Sequence, residues 1–370
     1  ARRQPGSAFK PFVYAAALNT ALEGREPVIT PVTLVVDEPT TFYFDDKEYT
    51  PNNFRQQFNG TVTLRFALSK SLNIPTVKFA EMAGYQAVAD LAEAAGLKGV
   101  KPTPALALGA YEVTPLDIAG AYTVFANQGA WVQRNLIREI RSADGNLIHQ
   151  YQPVTRQVLD PRIAYMVVNL MEEVLRSGTG AGVRSRGFLL PAAGKTGTSH
   201  DAWFAGFTSK LLCVVWVGFD DNQELPLEGA KAALPIWAEF MKRAHSHREY
   251  RGVQPFSPPD GIAIVDIDPL SGQLATASCP KAIQEVFLAG TQPVELCRLH
   301  GGGQTWISSW DSDSASSSPS SPATARVQPP PQRQTAVRTD SSQPSPSPQP
   351  PAPAEEPKRG FWNRIRAIFR

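Results

Sequence analysis

Cysteine is scarce in this chain: Cys213, Cys279 and Cys297 are the three in 370 residues. So few exclude a small fold built on disulfides, and stability must come from a core, for which a hydrophobic content of 42% suffices. Also missing is any run of about 18 apolar residues, so nothing reads as a membrane-crossing helix, and no signal peptide is recognisable. Net charge is nearly absent. A formal +2 gives a polyanion little to grip, and nucleic acid is not an expected partner. The five histidines, His200 among them, show no ligand spacing, so neither a metal nor a cofactor is expected.

Proline, by contrast, is plentiful at 33 residues, many of them beyond residue 318. Residues 307–357 are dominated by Ser, Pro, Gln and Thr and read as a disordered linker. The last thirteen residues differ: Phe361, Trp362, Ile365, Ile368 and Phe369 fall on one side of a helix, with Arg359, Arg366 and Arg370 on the other. A basic amphipathic helix of this kind, 358–370, suits a membrane surface or an acidic partner. Ahead of the linker, residues 1–250 have the length and pattern of one main domain. Residues 251–306 form a small strand-rich appendage. Within it Cys279 and Cys297 bracket a β-like segment, where they either pair in an oxidising compartment or remain thiols. Cys213 lies in the fully apolar strand pattern 211–217 and reads as a buried thiol.

In the main domain helices come first and antiparallel strands later, the order of an α+β fold. Pro5-Gly6 is a turn, and the apolar run from Phe12 to Leu22 predicts a helix whose first turn carries Ser7 and Lys10. Leu64, Leu68 and Leu72 predict a second helix ending in Ser71-Leu72-Asn73, followed by helices over 76–83 and 85–95. Thr114-Pro115-Leu116-Asp117 is a capped helix start, and further helices are predicted over 162–176 and 235–244. Strands are predicted over 193–198, 202–208 and 211–219.

Three short segments carry chemistry. Ser7 and Lys10, three apart, share a helix face, and a lysine that has lost its proton can activate a serine hydroxyl. Alone the pattern says little, since Ser278 and Lys281 match it as well. Downstream stand Ser71 and Asn73, then Lys195-Thr196-Gly197-Thr198, of which a Lys-Thr-Gly run is expected by chance only about 0.1 times in a chain this long. A second cation near Lys10 and partial burial would free its amine; Ser71 can relay a proton; Asn73 offers a donor and an acceptor. Lys195 with the hydroxyls of Thr196 and Thr198 can receive a carboxylate, and Gly197 leaves the strand edge open to a peptide.

That trio, in this order, resembles the transpeptidase domain of class A, bifunctional penicillin-binding proteins. The likeness extends to Arg3-Gln4-Pro5-Gly6-Ser7, Ile74-Pro75-Thr76-Val77, Glu112-Val113-Thr114-Pro115-Leu116, Asp201-Ala202-Trp203-Phe204 and Trp216-Val217-Gly218-Phe219-Asp220, covering residues 1 to about 303. It implies the penicillin-binding transpeptidase and serine β-lactamase-like fold, an antiparallel sheet flanked by helices with an all-α subregion. It also implies Ser7 as nucleophile on stem peptides ending in D-alanyl-D-alanine, β-lactams as covalent inhibitors, and the N–H groups of Ser7 and Thr198 as oxyanion donors. The site would face the outside of the cytoplasmic membrane. In that family the first strands of the sheet, a glycosyltransferase domain and a membrane anchor precede the nucleophile, so this chain, beginning six residues before Ser7, reads as a piece lacking them. Rival readings are a D,D-carboxypeptidase and a non-catalytic penicillin sensor or scaffold. The Glu-x-x-Leu-Asn signature of β-lactamases is absent, and Glu112 reads as a charge at a helix entry.

Overall fold

Pro11 lacks the N–H that an α-helix would aim at the carbonyl of Ser7. In the computed structural model, which describes residues 1–300, the chain answers with a tight 3-10 turn, Gly6–Phe9, in which the Lys10 N–H bonds the Ser7 carbonyl instead. The α-helix proper, α1, is Lys10–Asn19. Ser7 therefore lies on the 3-10 turn ahead of the helix, not within the helix as predicted. Helix α1 is buried on nearly every side, with Phe12, Val13, Tyr14, Ala15 and Ala17 at 0% exposure.

Strand β1 (Leu34–Asp37) pairs antiparallel with β4 (Gly60–Thr63), Asp37 lying opposite Gly60. Between them runs a small hairpin, β2 (Phe42–Phe44) and β3 (Lys47–Tyr49). Helix α2 is capped by the Thr63 hydroxyl but covers only Leu64–Ser69. The predicted helix does not reach Asn73: Ser71 takes a left-handed φ of 59°, and Asn73 opens a new helix, α3 (Asn73–Ala83). Pro75 is accommodated there because first-turn N–H groups have no partner in the helix. Helix α4 (Tyr85–Ala94) gives way at Gly96, which has a φ of 95°.

The predicted cap of α5 (Pro115–Ala126) forms as a reciprocal pair, Thr114 Oγ1 accepting from Asp117 N and Asp117 accepting from Thr114 N. Strands β5 (Ala130–Val132) and β8 (Thr155–Gln157) then pair around a hairpin of β6 (Glu139–Arg141) and β7 (Leu147–Gln150). Asp160 caps α6 (Pro161–Arg176), and one helical turn, α7 (Gly182–Ser185), sits inside a glycine-rich loop, residues 178–187.

Strands β9 (Ala193–Thr198), β10 (Ala202–Phe207) and β11 (Leu212–Val217) form an antiparallel sheet in the order β11-β10-β9. β10 is buried throughout, whereas every residue of β11 is half-buried. Cys213 is thus half-buried rather than buried, and desolvation still raises its thiol pKa to about 11. Helix α8 (Gly229–Ala244) packs on β10 and β11 and starts six residues before the predicted Pro235. A proline inside a helix removes one hydrogen bond, and here the apolar face of Ala233, Leu234, Trp237 and Ala238 against the sheet outweighs that loss. Trp203 and Phe204 belong to the core, each at 0% exposure. Strands β12 (Ile262–Ile267) and β13 (Ile283–Leu288) pair antiparallel, and buried Glu285 joins them to the helices by an ion pair with Arg65. The fold is α+β: the three-stranded sheet β9–β11 follows the helices as expected, while two-stranded ribbons interrupt the helical part at 34–63 and 130–157.

Tyr122 ties α5 to the 3-10 turn: its buried hydroxyl donates to the Ala8 carbonyl at 2.6 Å. Tyr122→Phe leaves that carbonyl unpaired, and a loss of about 1–2 kcal/mol is expected in a denaturant titration. Among the described residues no helix is long and apolar enough to cross a membrane. The readings of 307–357 and 358–370 lie outside the described residues.

Candidate active site

The 3-10 turn carrying Ser7 is held by backbone on both sides. Arg3 and Val113 exchange two hydrogen bonds of 2.9 Å, Gly6 N–H bonds Gly109 O at 3.3 Å, and the Ser199 hydroxyl donates to Gln4 O at 2.9 Å. Gly6 has a φ of 54°, and a methyl group there would lie 2.5 Å from the carbonyl oxygen of Thr198. On the other side, a methyl group on Gly109 would strike the Gly6 carbonyl. A methyl at Gly197 would meet Pro5 O at 2.5 Å. The turn and the end of β9 therefore touch main chain to main chain, which brings the first and third motifs together. Ser7 itself is half-buried.

Lys10, at the start of α1, is fully buried. Its Nζ donates to Ser71 O at 2.7 Å, Asn73 Oδ1 at 2.8 Å and Leu72 O at 2.9 Å, with Ser71 Oγ at 3.5 Å. Three oxygen acceptors favour an ammonium ion. Against them stand complete burial and the nearby Lys195 charge, which together hold the Lys10 pKa well below its ordinary value despite an opposing pull from Asp37. Lys195, also at 0% exposure, donates to Ser71 Oγ at 2.8 Å and Thr196 O at 3.1 Å, and burial lowers its pKa to about 7. The Ser71 hydroxyl thus sits between two amines that share a site poorly suited to two positive charges. Its left-handed backbone, uncommon for serine, presents both its carbonyl and its hydroxyl to Lys10.

Asn73 holds Lys10 through Oδ1 and donates through Nδ2 to Asn52 O at 2.7 Å. Behind it stands a second layer of polar side chains. Asn53 Oδ1 accepts the N–H groups of Asn73 (2.9 Å) and Ile74 (3.2 Å), and Asn53 Nδ2 donates to buried Asp37 at 2.6 Å. Asn59 fills the other Asp37 oxygen through its N–H at 3.0 Å and its Nδ2 at 2.7 Å. In the sequence Asn52 and Asn53 lie in the turn-rich, aromatic stretch Tyr49-Thr50-Pro51-Asn52-Asn53-Phe54, which can border a cleft, whereas nothing local marks Asp37 at the end of its short strand.

The two threonines of β9 diverge. Thr198 is exposed, and its oxygen accepts Gly229 N–H at 3.1 Å, leaving its own proton free to donate. Thr196 is buried and pairs with the Thr179 hydroxyl at 2.7 Å. Side chains of Lys10, Ser71, Asn73 and Lys195 are joined by hydrogen bonds, with the Ser7 turn wedged against Thr198 beside them. The Glu112 carboxylate is exposed, while its carbonyl accepts from Arg2.

Comparison with known proteins gives this geometry a context. The sequence matches the penicillin binding protein transpeptidase domain family over residues 1–242 and the penicillin-binding protein 1A C-terminal domain family over residues 258–302. It is 34% identical over 310 residues to penicillin-binding protein 1A of Aquifex aeolicus, covering 80% of this chain and 40% of that protein. The fold resembles the crystal structure of penicillin-binding protein 1A from Haemophilus influenzae, with a TM-score of 0.71 and 29% identity over 80% of this chain and 49% of that one. It also resembles the PonA1 protein of Mycobacterium tuberculosis in complex with penicillin V, with a TM-score of 0.56 and 26% identity over 70% of this chain and 73% of that one. The chain spans between a third and about two fifths of the length of the curated relatives it matches, 40% for the Aquifex protein and 33% for the penicillin-binding protein 1A of Neisseria cinerea.

Proposed function

The chain belongs to the penicillin-binding protein transpeptidase family, and from that premise we propose that it cross-links peptidoglycan stem peptides through an acyl-enzyme on Ser7. Ser7 Oγ attacks the carbonyl carbon of the penultimate D-alanine and its proton passes to the neutral amine of Lys10. The oxyanion forms against the N–H groups of Ser7 and Thr198. The amide C–N bond then breaks as a proton, relayed through Ser71 from the lysine pair, reaches the departing D-alanine nitrogen. An amine of a second stem peptide attacks the ester, gives up its proton along the same path, and restores the Ser7 hydroxyl. The supporting observation is the Lys195–Ser71–Lys10 bridge, in which residues more than a hundred positions apart form one proton path.

In this reading Asn73 holds Lys10 and one edge of the substrate. Lys195 and the Thr198 hydroxyl receive the terminal carboxylate. Thr196, turned to Thr179, braces Gly197 and the rest of β9 against the glycine-rich loop. β-Lactams acylate the same serine. The domain works outside the cytoplasmic membrane, within a longer membrane-anchored protein. Residues 1–250 are the catalytic domain and 251–306 its appendage.

The test is a partition experiment. A donor peptide ending in D-alanyl-D-alanine is incubated with rising concentrations of an acceptor amine, and released D-alanine, hydrolysed donor and amine adduct are quantified. The adduct is expected to displace the hydrolysis product. Hydrolysis alone at every acceptor concentration would make the chain a carboxypeptidase, and penicillin labelling without either product would make it a sensor. Gly6→Ala, which pushes the nucleophile's turn off Thr198, is expected to slow penicillin acylation about 100-fold in a time course of fluorescent labelling.

A further inference from the structure

Away from Ser7, the appendage gathers four side chains from three segments. Asp268 follows β12, Cys279 precedes β13, and Cys297 and His300 follow it. One ligand atom of each, a carboxylate oxygen, two Sγ atoms and an imidazole nitrogen, lies within 4.8 Å of all the others. Asp268 is 1% exposed and Cys297 2%. We infer that these four residues hold a structural zinc ion.

The donor set selects the metal. Two thiolates and an imidazole suit Zn²⁺ and not the oxygen-seeking Ca²⁺ or Mg²⁺, and four protein ligands close the site as in structural rather than catalytic zinc centres. Cys297 Sγ and His300 Nδ1 are 3.7 Å apart, close to the edge of about 3.6 Å that ordinary Zn–S and Zn–N bonds give a tetrahedron. His300 Nδ1 and Asp268 Oδ2 are hydrogen-bonded at 2.7 Å and need to part by about 0.6 Å to share the ion.

Surrounding groups already orient the ligands. Asp268 Oδ1 accepts the N–H groups of Leu270 and Ser271, both at 2.9 Å, which leaves Oδ2 for the ion. Cys279 Sγ accepts Thr276 N–H at 3.3 Å, and Cys297 Sγ accepts the Ser271 hydroxyl at 3.3 Å, the kind of outer-shell bonding that steadies a metal thiolate. The loops that carry the four ligands lie at the end of a two-stranded sheet whose Val286 and Leu288 pack into the main core, and they gain from a tie of their own.

A Cys279–Cys297 disulfide is the competing outcome. It would use two of the four groups and leave Asp268 Oδ2 and His300 paired only with each other, whereas the structure has both cysteines as thiols. Spacing among histidines alone could not reveal a site with one histidine; the signal was Cys297-Arg298-Leu299-His300 with a further cysteine upstream.

The test uses the untagged full chain purified without chelator. About one zinc per chain is expected by elemental mass spectrometry, and Co²⁺ exchanged into the site should give thiolate-to-cobalt charge-transfer absorption with tetrahedral ligand-field bands. Cys297→Ser and His300→Ala should each lose the zinc while Ser7 still takes up fluorescent penicillin, which certifies the fold. Purified chain with a mapped Cys279–Cys297 disulfide, chain that binds neither zinc nor Co²⁺ with both thiols titratable, or either variant retaining a full equivalent of zinc overturns the assignment.

Discussion

Ser7→Ala leaves the chain without covalent penicillin labelling and without release of D-alanine, a loss on the order of 10,000-fold or more. The substitution removes a hydroxyl and nothing that shapes the turn. The bonds that hold the turn run from Lys10 N to Ser7 O, from Ala8 N to Pro5 O, from Gly6 N to Gly109 O and from the Tyr122 hydroxyl to Ala8 O, none of them to the Ser7 side chain. Alanine accepts the same 3-10 geometry, so the unfolding transition should stay where it is for the parent chain. Labelling of the variant at the parent rate would place the nucleophile elsewhere, and Ser71, the other hydroxyl among these amines, would become the candidate.

Lys10→Met is expected to slow acylation about 1,000-fold, the scale of a lost general base. Methionine fills nearly the same buried volume but leaves the Ser71 and Leu72 carbonyls and Asn73 Oδ1 without their shared donor, so some stability is lost as well. The pH dependence separates the two effects. Only the neutral amine accepts the Ser7 proton, and the lysine pair is depressed, with Lys195 at about 7. The parent acylation rate should therefore climb with pH well below the ordinary lysine value of about 10.4. Lys10→Met should flatten that climb. Lys195→Met, which takes away the neighbouring positive charge, should raise the Lys10 pKa and move the climb to higher pH. A Lys10→Met profile with the parent's climb intact would remove Lys10 as the base. Stability carries the same sign: between about 7 and about 10.4 the unfolded chain binds more protons at Lys195 than the native one, so stability rises with pH across that window.

The chemistry was legible in the sequence because each motif is local: a hydroxyl and an amine three apart, a serine before an asparagine, and Lys-Thr-Gly after a glycine. The fold class was legible for the same reason, through helical spacing and the reciprocal cap at Thr114 and Asp117. What escaped depends on distant partners. No local pattern gives Ser71 a left-handed backbone, or sends Asp37 through Asn53 to the start of α3, because those arrangements are enforced by groups 16 to 61 residues apart. The early start of α8 was hidden by Pro235, whose helix-breaking tendency is local while the sheet that overrides it is not. Thr196 and Thr198 look equivalent two apart on a strand, and only the loop carrying Thr179 tells them apart.

Gly109, Gly6, Gly197 and Gly229 stand in line through the site, each backed by another residue's main chain where its own side chain would have been. The nucleophile is consequently seated the way a part is seated on a machined stop, by contact between hard surfaces with no compliant layer between. One added carbon along this line is a dimensional error at the reacting atom.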